Sequence, residues 1–395
     1  MQPRAHTLMM VFCATLVAFA AGCARREPAR PARLDYTPQW MSPDGRYLIV
    51  RPVGVLDLTA GEEVLPEIGR TGESGMTSAA WAPASDLLCW LRLDGRVSMW
   101  RPPAGRPMDL TPNLLEYLQY QTGNTAICFG RSEQELVLGA PGYGPSRHLP
   151  EHASFSVFGV GQGRLQPGDT VTAPLSVPPG STMEMLPIAD GSRVLVVYRT
   201  EHKSPERGIY LLDLAGRSLT VAAGERAQPI AALRARWGER MDYLPFTHLV
   251  GPDRQGQYHF VLYVRRADGR DIGCELLSLR PDAKPGLTWI GLARDCIGPP
   301  AVLPSDGGFV FARRTPALTV QTGTKRWPAG NLVLLDATLQ HQRSLTEGAV
   351  LDELPLWSHA LGRVVFRRDQ RELWSVCPQG GDARRVWPRA GEESG

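Results

Sequence analysis

Between residues 35 and 388 one pattern returns seven times: a short apolar segment that ends at a turn, two more apolar strands, and a weaker fourth segment. Its clearest instance is Met41-Ser42-Pro43-Asp44-Gly45-Arg46, followed by the strand Tyr47–Val50. Asp-Gly suits a two-residue hairpin, because both residues tolerate positive φ and the turn then matches the twist of its flanking strands. Degraded copies follow at Trp81-Ala82-Pro83, Phe129-Gly130-Arg131-Ser132, Pro187-Ile188-Ala189-Asp190-Gly191, Val250-Gly251-Pro252-Asp253, Leu303-Pro304-Ser305-Asp306-Gly307 and Trp357-Ser358-His359. Successive anchors are 40 to 63 residues apart.

Each anchor precedes a second strand (Tyr47–Val50, Leu87–Leu91, Glu135–Gly139, Val194–Tyr198, Tyr258–Val264, Phe309–Ala312, Val364–Arg367). A third follows (Val53–Leu58, Val97–Trp100, Phe155–Val160, Ile209–Leu214, Cys274–Leu279, Leu332–Asp336, Leu373–Cys377), and several units close on Leu-Thr, as at Leu110-Thr111 and Leu345-Thr346. A four-stranded sheet with two apolar faces cannot bury either alone. Radial stacking against two neighbours buries both and leaves only short edges. The expected fold is therefore all-β: a β-propeller of four-stranded antiparallel blades over residues 35–388, with seven blades preferred and six or eight allowed by the spacing. Trp40, Trp81, Trp357 and Trp374 are expected as inter-blade fillers. The ring could close through Leu34–Tyr36 joining the last blade, or through Arg384–Trp387 finishing its own. Leu114–Tyr120 and Ala227–Trp237 could each form a helical turn or two.

Ser42-Pro43-Asp44-Gly45-Arg46, and later Ile209-Tyr210-Leu211-Leu212-Asp213-Leu214 with Leu219-Thr220, resemble the WD40-like repeat of TolB-type β-propellers. Met41 stands where that family usually has Trp, with Trp40 one residue earlier. The same repeat builds the propellers of prolyl-oligopeptidase-type enzymes, but there is no G-x-S-x-G elbow here.

The amino terminus reads as a targeting segment. Arg4 and His6 precede an apolar run from Leu8 to Ala21, too short for a comfortable membrane span of ~20 residues. Ala20-Ala21-Gly22-Cys23 resembles the bacterial lipobox, which implies a signal peptide over residues 1–22 and lipid attachment at Cys23. Ala24 in place of Asp implies, by the same resemblance, an outer-membrane lipoprotein facing the periplasm in a diderm organism. Residues 23–34, basic and holding Pro28 and Pro31, read as a solvated tether; 389–395 read as a polar tail.

A formal charge of +3, about +2 after removal of residues 1–22 with their one Arg, is too small to suggest nucleic acid. Five cysteines remain beyond Cys13 and Cys23. Cys89 and Cys128 read as core residues, and Cys274 and Cys296 could bridge across one sheet as a disulfide. His148 and His152 are four apart, but Pro145 and Pro150 argue against the helix that would pair them as metal ligands. Asp44, Asp94, Asp190, Asp268 and Asp306 precede glycine and read as turn formers. The pairs Arg265-Arg266, Arg313-Arg314 and Arg367-Arg368 end second strands and could form a basic arc on one face, or be solvated strand ends.

No catalytic, metal or cofactor motif is present in the sequence. The expected function is a non-enzymatic, lipid-anchored module of the cell envelope that binds a protein, a glycan or another ligand. The alternative is a propeller enzyme of the polysaccharide lyase or glycosidase type, with its site at the central channel. A funnel lined by several His, Asp or Glu side chains would favour the enzyme; a hydrophobic or plugged channel would not.

Overall fold

The computed structural model describes residues 33–389, apart from 70–74, 104, 113, 115–124, 144–149, 174, 176–181, 189–190, 200–206, 242–248, 266–270, 284–285, 305–306 and 323–324. Seven antiparallel sheets follow one another along the chain. Blade 1 holds Tyr47–Val50, Gly54–Asp57 and Glu62–Leu65; its innermost strand is the segment around Asp35 and Met41, which bridges to Arg51 and Leu48. Blade 2 runs Met76–Trp81, Leu88–Arg92, Val97–Trp100, Met108–Leu110, and blade 3 runs Ala126–Phe129, Glu135–Tyr143, Pro150–Gly161, Arg164–Ala173. Blade 4 runs Thr182–Pro187, Arg193–Arg199, Gly208–Asp213, Ser218–Gly224. Blade 5 holds Tyr258–Arg265, Asp271–Leu279 and Leu287–Arg294, with Val250 bridging His259 on its inner side. Blade 6 runs Cys296–Val302, Phe309–Thr322, Lys325–Leu335, Gln342–Ser344, and blade 7 runs Asp352–Ser358, Arg363–Arg368, Glu372–Val376, Arg384–Trp387.

This is the expected seven-bladed propeller, and every anchor lies at the end of an innermost strand. One helix, α1 (Ile230–Trp237), joins blades 4 and 5 and buries Ile230 and Leu233 against both. Of the other helical candidate only Leu114 is described, and it is buried. Among the described residues no helix is long and apolar enough to cross a membrane.

The sheets are two-faced, as the burial argument requires. In blade 5, Phe260 and Leu262 pack toward blade 4, while Val261 packs toward Phe309 and Phe311 of blade 6. Alternate residues of one strand thus serve different gaps. Trp81 fills the gap between blades 1 and 2, stacked on Tyr47 at 6.2 Å, with its indole N–H donating to the Trp40 carbonyl at 2.9 Å. Trp374 packs beneath the Arg368 guanidinium, 4.2 Å from its ring centre.

The repeated turn differs from the expected two-residue hairpin. Ser42 N–H pairs with the Tyr47 carbonyl, and Gly45 N–H returns to the Ser42 carbonyl at 2.8 Å, so Pro43 to Arg46 form a longer loop. Only Gly45 takes positive φ, +71°, while Asp44 accepts hydrogen bonds from Ser42 Oγ (2.6 Å) and Arg46 N–H (2.9 Å). The same three-residue return recurs from Gly191 to Ile188, Gly256 to Asp253 and Gly362 to His359. Glycine is required for a second reason: a Cβ on Gly45 would lie 2.4 Å from His359 N, and one on Gly191 would lie 2.5 Å from the Gly130 carbonyl. These two turns press on the equivalent turns of the preceding blades, whereas Gly256 and Gly362 have nothing within 4 Å of a Cβ. Asp94 likewise caps its turn, accepting from Arg96 N–H, whereas Asp190, Asp268 and Asp306 lie outside the described residues.

The ring closes without exchanging a strand. Arg384–Trp387 completes its own blade, and the Leu34 segment pairs within blade 1. Hydrogen bonds make the junction: Leu34 N–H donates to the Gln370 carbonyl (2.9 Å), Arg367 donates to the Leu34 carbonyl and to Glu353 Oε2 (2.7 Å), Tyr36 donates to the Leu354 carbonyl (2.8 Å), and Ser358 donates to the Gly45 carbonyl (2.5 Å). Burial pushes the Tyr36 phenol well above its ordinary range, so it stays a neutral donor.

Candidate functional site

The inner strand of blade 1 is interrupted. Pro38 starts a 3-10 turn, Pro38–Trp40, between the two bridges that hold the strand to its neighbour. The break throws Gln39 across the axis, where its amide N–H donates to the Leu249 carbonyl of blade 5 at 3.0 Å. Gln39 Oε1 is buried and has no hydrogen-bond partner among the described residues. The channel is therefore bridged at this level.

Above Gln39 opens a mouth with two lobes that share Pro38, Gln39, Met41, Pro43, Pro83 and Leu186 as walls. The larger, about 520 Å³, reaches toward blades 5, 6 and 7. The smaller, about 300 Å³, reaches toward Trp81, Met185 and Tyr258. Pro43, Pro83, Pro252 and Pro304 come from the turn after an inner strand, in blades 1, 2, 5 and 6, and Pro187 ends the inner strand of blade 4. The repeat thus delivers a ring of prolines to one end of the axis.

The polar groups gather in the larger lobe. Asp253 is committed to its own loop, accepting from Gln255 N–H (2.8 Å), Gln257 N–H (2.9 Å) and His259 Nε2 (3.0 Å). Exposed Arg254 makes no ion pair among the described residues. Across from it, His359 Nδ1 accepts from Trp357 Nε1 at 3.2 Å, which leaves the proton on Nε2. Burial and then the Arg254 charge hold His359 below the ordinary imidazole range, with Asp44 pulling the other way.

A third cavity, about 470 Å³, lies beside Asp253 and Arg254 between blades 5 and 6, lined by His259 and Phe309. His259 is 3 % exposed, and burial holds it below the ordinary range although Asp253 opposes this. The unfolded chain then takes up a proton at higher pH than the folded one. The stability this contributes is complete above ~6.5 and is lost as pH falls through the folded value. Urea unfolding followed from about pH 7 to pH 5 is expected to show a steeper loss for the wild type than for His259→Gln, which keeps a donor for Asp253. Parallel curves would assign the loss to other groups.

Cys23 and His148 lie outside the described residues, and His152 sits in a strand, Pro150–Gly161. Cys274 and Cys296 do not share a sheet: they belong to blades 5 and 6, and Cys274 Sγ donates to the Cys296 carbonyl at 3.2 Å. Burial pushes the Cys296 thiol up to about 12. Cys89 and Cys128 are buried core residues, as expected. Blade 7 takes no part in an arginine arc. Arg367 is 2 % exposed against Glu353, and Arg368 pairs at 2.7 Å with Asp352, itself fully buried; Arg266 lies outside the described residues. Trp357, expected as a filler, also lines the mouth. Gln39, Arg254 and His359 were not singled out from sequence, although each stands within two residues of an anchor or its turn. Among the described residues no group of three or more His, Cys, Asp or Glu could hold a metal ion.

The crystal structure of an oligogalacturonate lyase from Vibrio parahaemolyticus is similar to this chain, with a TM-score of 0.54 and 12% identity over 86% of this chain and 88% of that one. A GH74 enzyme from Niastella koreensis is similar with a TM-score of 0.52 and 10% identity over 88% of this chain and 53% of that one, so the chain spans about half its length. These likenesses show the fold alone. No protein-family model and no curated protein matches the sequence.

Proposed function

We propose that this chain is a non-enzymatic, lipid-anchored propeller of the cell envelope that works as a protein-interaction or ligand-binding module, with the axial mouth as its binding surface. The observation that carries the reading is the bridged axis: Gln39 spans to Leu249, and the mouth above it is walled mainly by proline and aliphatic side chains. An apolar concavity with a few placed polar groups is the usual form of a ligand site. The lipid anchor rests on the lipobox resemblance at Cys23 and on the basic tether behind it. Envelope proteins or glycans are the proposed partners, the membrane is reached through the acyl chains, and nucleic acid is not proposed.

Two variants test the reading. Cys23→Ala is expected to move the protein from the particulate to the soluble fraction; retention in membranes would contradict the anchor. Pro83→Trp, at an exposed position shared by both lobes, is expected to abolish what the wild type retains from detergent-solubilised membranes. The alternative reading is a polysaccharide lyase or glycosidase. Oligogalacturonate, named by one of the similar structures, is the first substrate to try, and its turnover by wild type but not by Pro83→Trp would replace the binding reading with the enzymatic one.

A further inference from the structure

We propose that the mouth captures a single-chain carboxylate amphiphile, its carboxylate between Arg254 and His359 and its aliphatic body in the smaller lobe. This deepens the ligand-binding reading above and rests on it.

The head group follows from charge. Arg254 has no acidic partner among the described residues, and its neighbour Asp253 is held by two backbone N–H groups and His259. His359 faces the same lobe, with Nε2 left as a donor by the Trp357 hydrogen bond. A guanidinium from blade 5 and an imidazole N–H from blade 7, both lining the larger lobe, make a site for a carboxylate, which accepts from both. Asp44 is the acid that acts on His359 from blade 1, and it is already bonded to Ser42 and Arg46 N–H.

The body follows from what the walls cannot do. Proline has no N–H, so the proline ring offers carbonyls and hydrocarbon but few donors. Peptide carbonyls sunk into the smaller lobe would find few donors there and would be buried at a cost. The amide of Gln39, the polar side chain shared by both lobes along the axis, already donates to Leu249. An alkyl chain asks for no partner, and the lobe between Trp81, Met185 and Leu186 gives it apolar contact. Each methylene buried there strengthens binding roughly three- to fourfold.

The test is isothermal titration of the purified full chain carrying Cys23→Ser, which has no acyl group of its own, with dodecanoate, dodecanol and acetate below their aggregation limits. Dodecanoate is expected to bind one to one, about tenfold or more tighter than dodecanol, and acetate not measurably. Arg254→Gln is expected to bring dodecanoate down to the level of dodecanol and to leave dodecanol unchanged. Pro83→Trp is expected to remove both, with thermal unfolding showing that each variant is folded. Equal binding of acid and alcohol, or dodecanoate binding that survives Pro83→Trp, would overturn the proposal. If dodecanoate does not bind while Pro83→Trp still abolishes retention of a membrane partner, the amphiphile is wrong and the mouth stands; if Pro83→Trp changes neither, both fall.

Discussion

Arg367→Ala is expected to destabilise the propeller by roughly 3–5 kcal/mol, measured as a shift of the urea unfolding curve. Arg367 is 2 % exposed, and it joins the Leu34 carbonyl of the first blade to Glu353 of the last. Removing it leaves a half-buried carboxylate without its cation and frees the end of the inner segment of blade 1. Faster amide exchange at Leu34 is expected alongside, because its N–H donates to the Gln370 carbonyl across the same junction. Replacing both partners, Arg367→Met with Glu353→Leu, is expected to recover most of the loss, since an apolar pair carries no desolvation cost. The exposed pair Arg131–Glu135 gives the contrast: Arg131→Ala is expected to cost at most about 1 kcal/mol. A loss of that small size at Arg367 would mean that the ring is held shut elsewhere.

Gly45→Ala carries the second large effect. The left-handed backbone at φ +71° costs an alanine roughly 1–2 kcal/mol. The new methyl would also meet His359 N at 2.4 Å and Ser358 Cα at 2.9 Å, both backbone atoms of the neighbouring blade, and overpacking of that kind adds about 1–3 kcal/mol. Gly362 has φ +60° and nothing within 4 Å of its missing Cβ, so Gly362→Ala is expected to cost the conformational part alone. The difference between the two variants measures how tightly blades 1 and 7 are pressed together. Equal losses would show that the turn of blade 1 moves aside.

These two positions also divide what the chain declares from what it conceals. The anchors starting at Met41, Trp81, Phe129, Pro187, Val250, Leu303 and Trp357 were legible because turn chemistry and period-two burial are local. The order and number of blades followed from them. The form of the turn was misread because Asp-Gly is compatible with several loop lengths, and the hydrogen bond from Gly45 to Ser42 selects the longer one. The expectation that Cys274 and Cys296 share one sheet was wrong because strand ends adjacent in sequence can belong to different sheets. Arg367 and Arg368 looked like solvated strand ends because their acids, Glu353 and Asp352, belong to the opposing strand. The mouth was hidden for a stronger reason. Gln39 and Leu249 are 210 residues apart, and Arg254 and His359 sit on blades 5 and 7, so neither pairing leaves a spacing in the sequence. The alignment of anchors nevertheless pointed to the place, because residues just after an inner strand all arrive at one end of the axis.

The central claim is that the closed axis presents a binding mouth. A photo-reactive side chain placed at Ala84, which lines the smaller lobe, tests it directly in intact membranes, with the exposed rim position Val221 as the comparison. The account predicts a discrete adduct from position 84, lost in the presence of Pro83→Trp, and none from position 221. Adducts from the rim alone would contradict it.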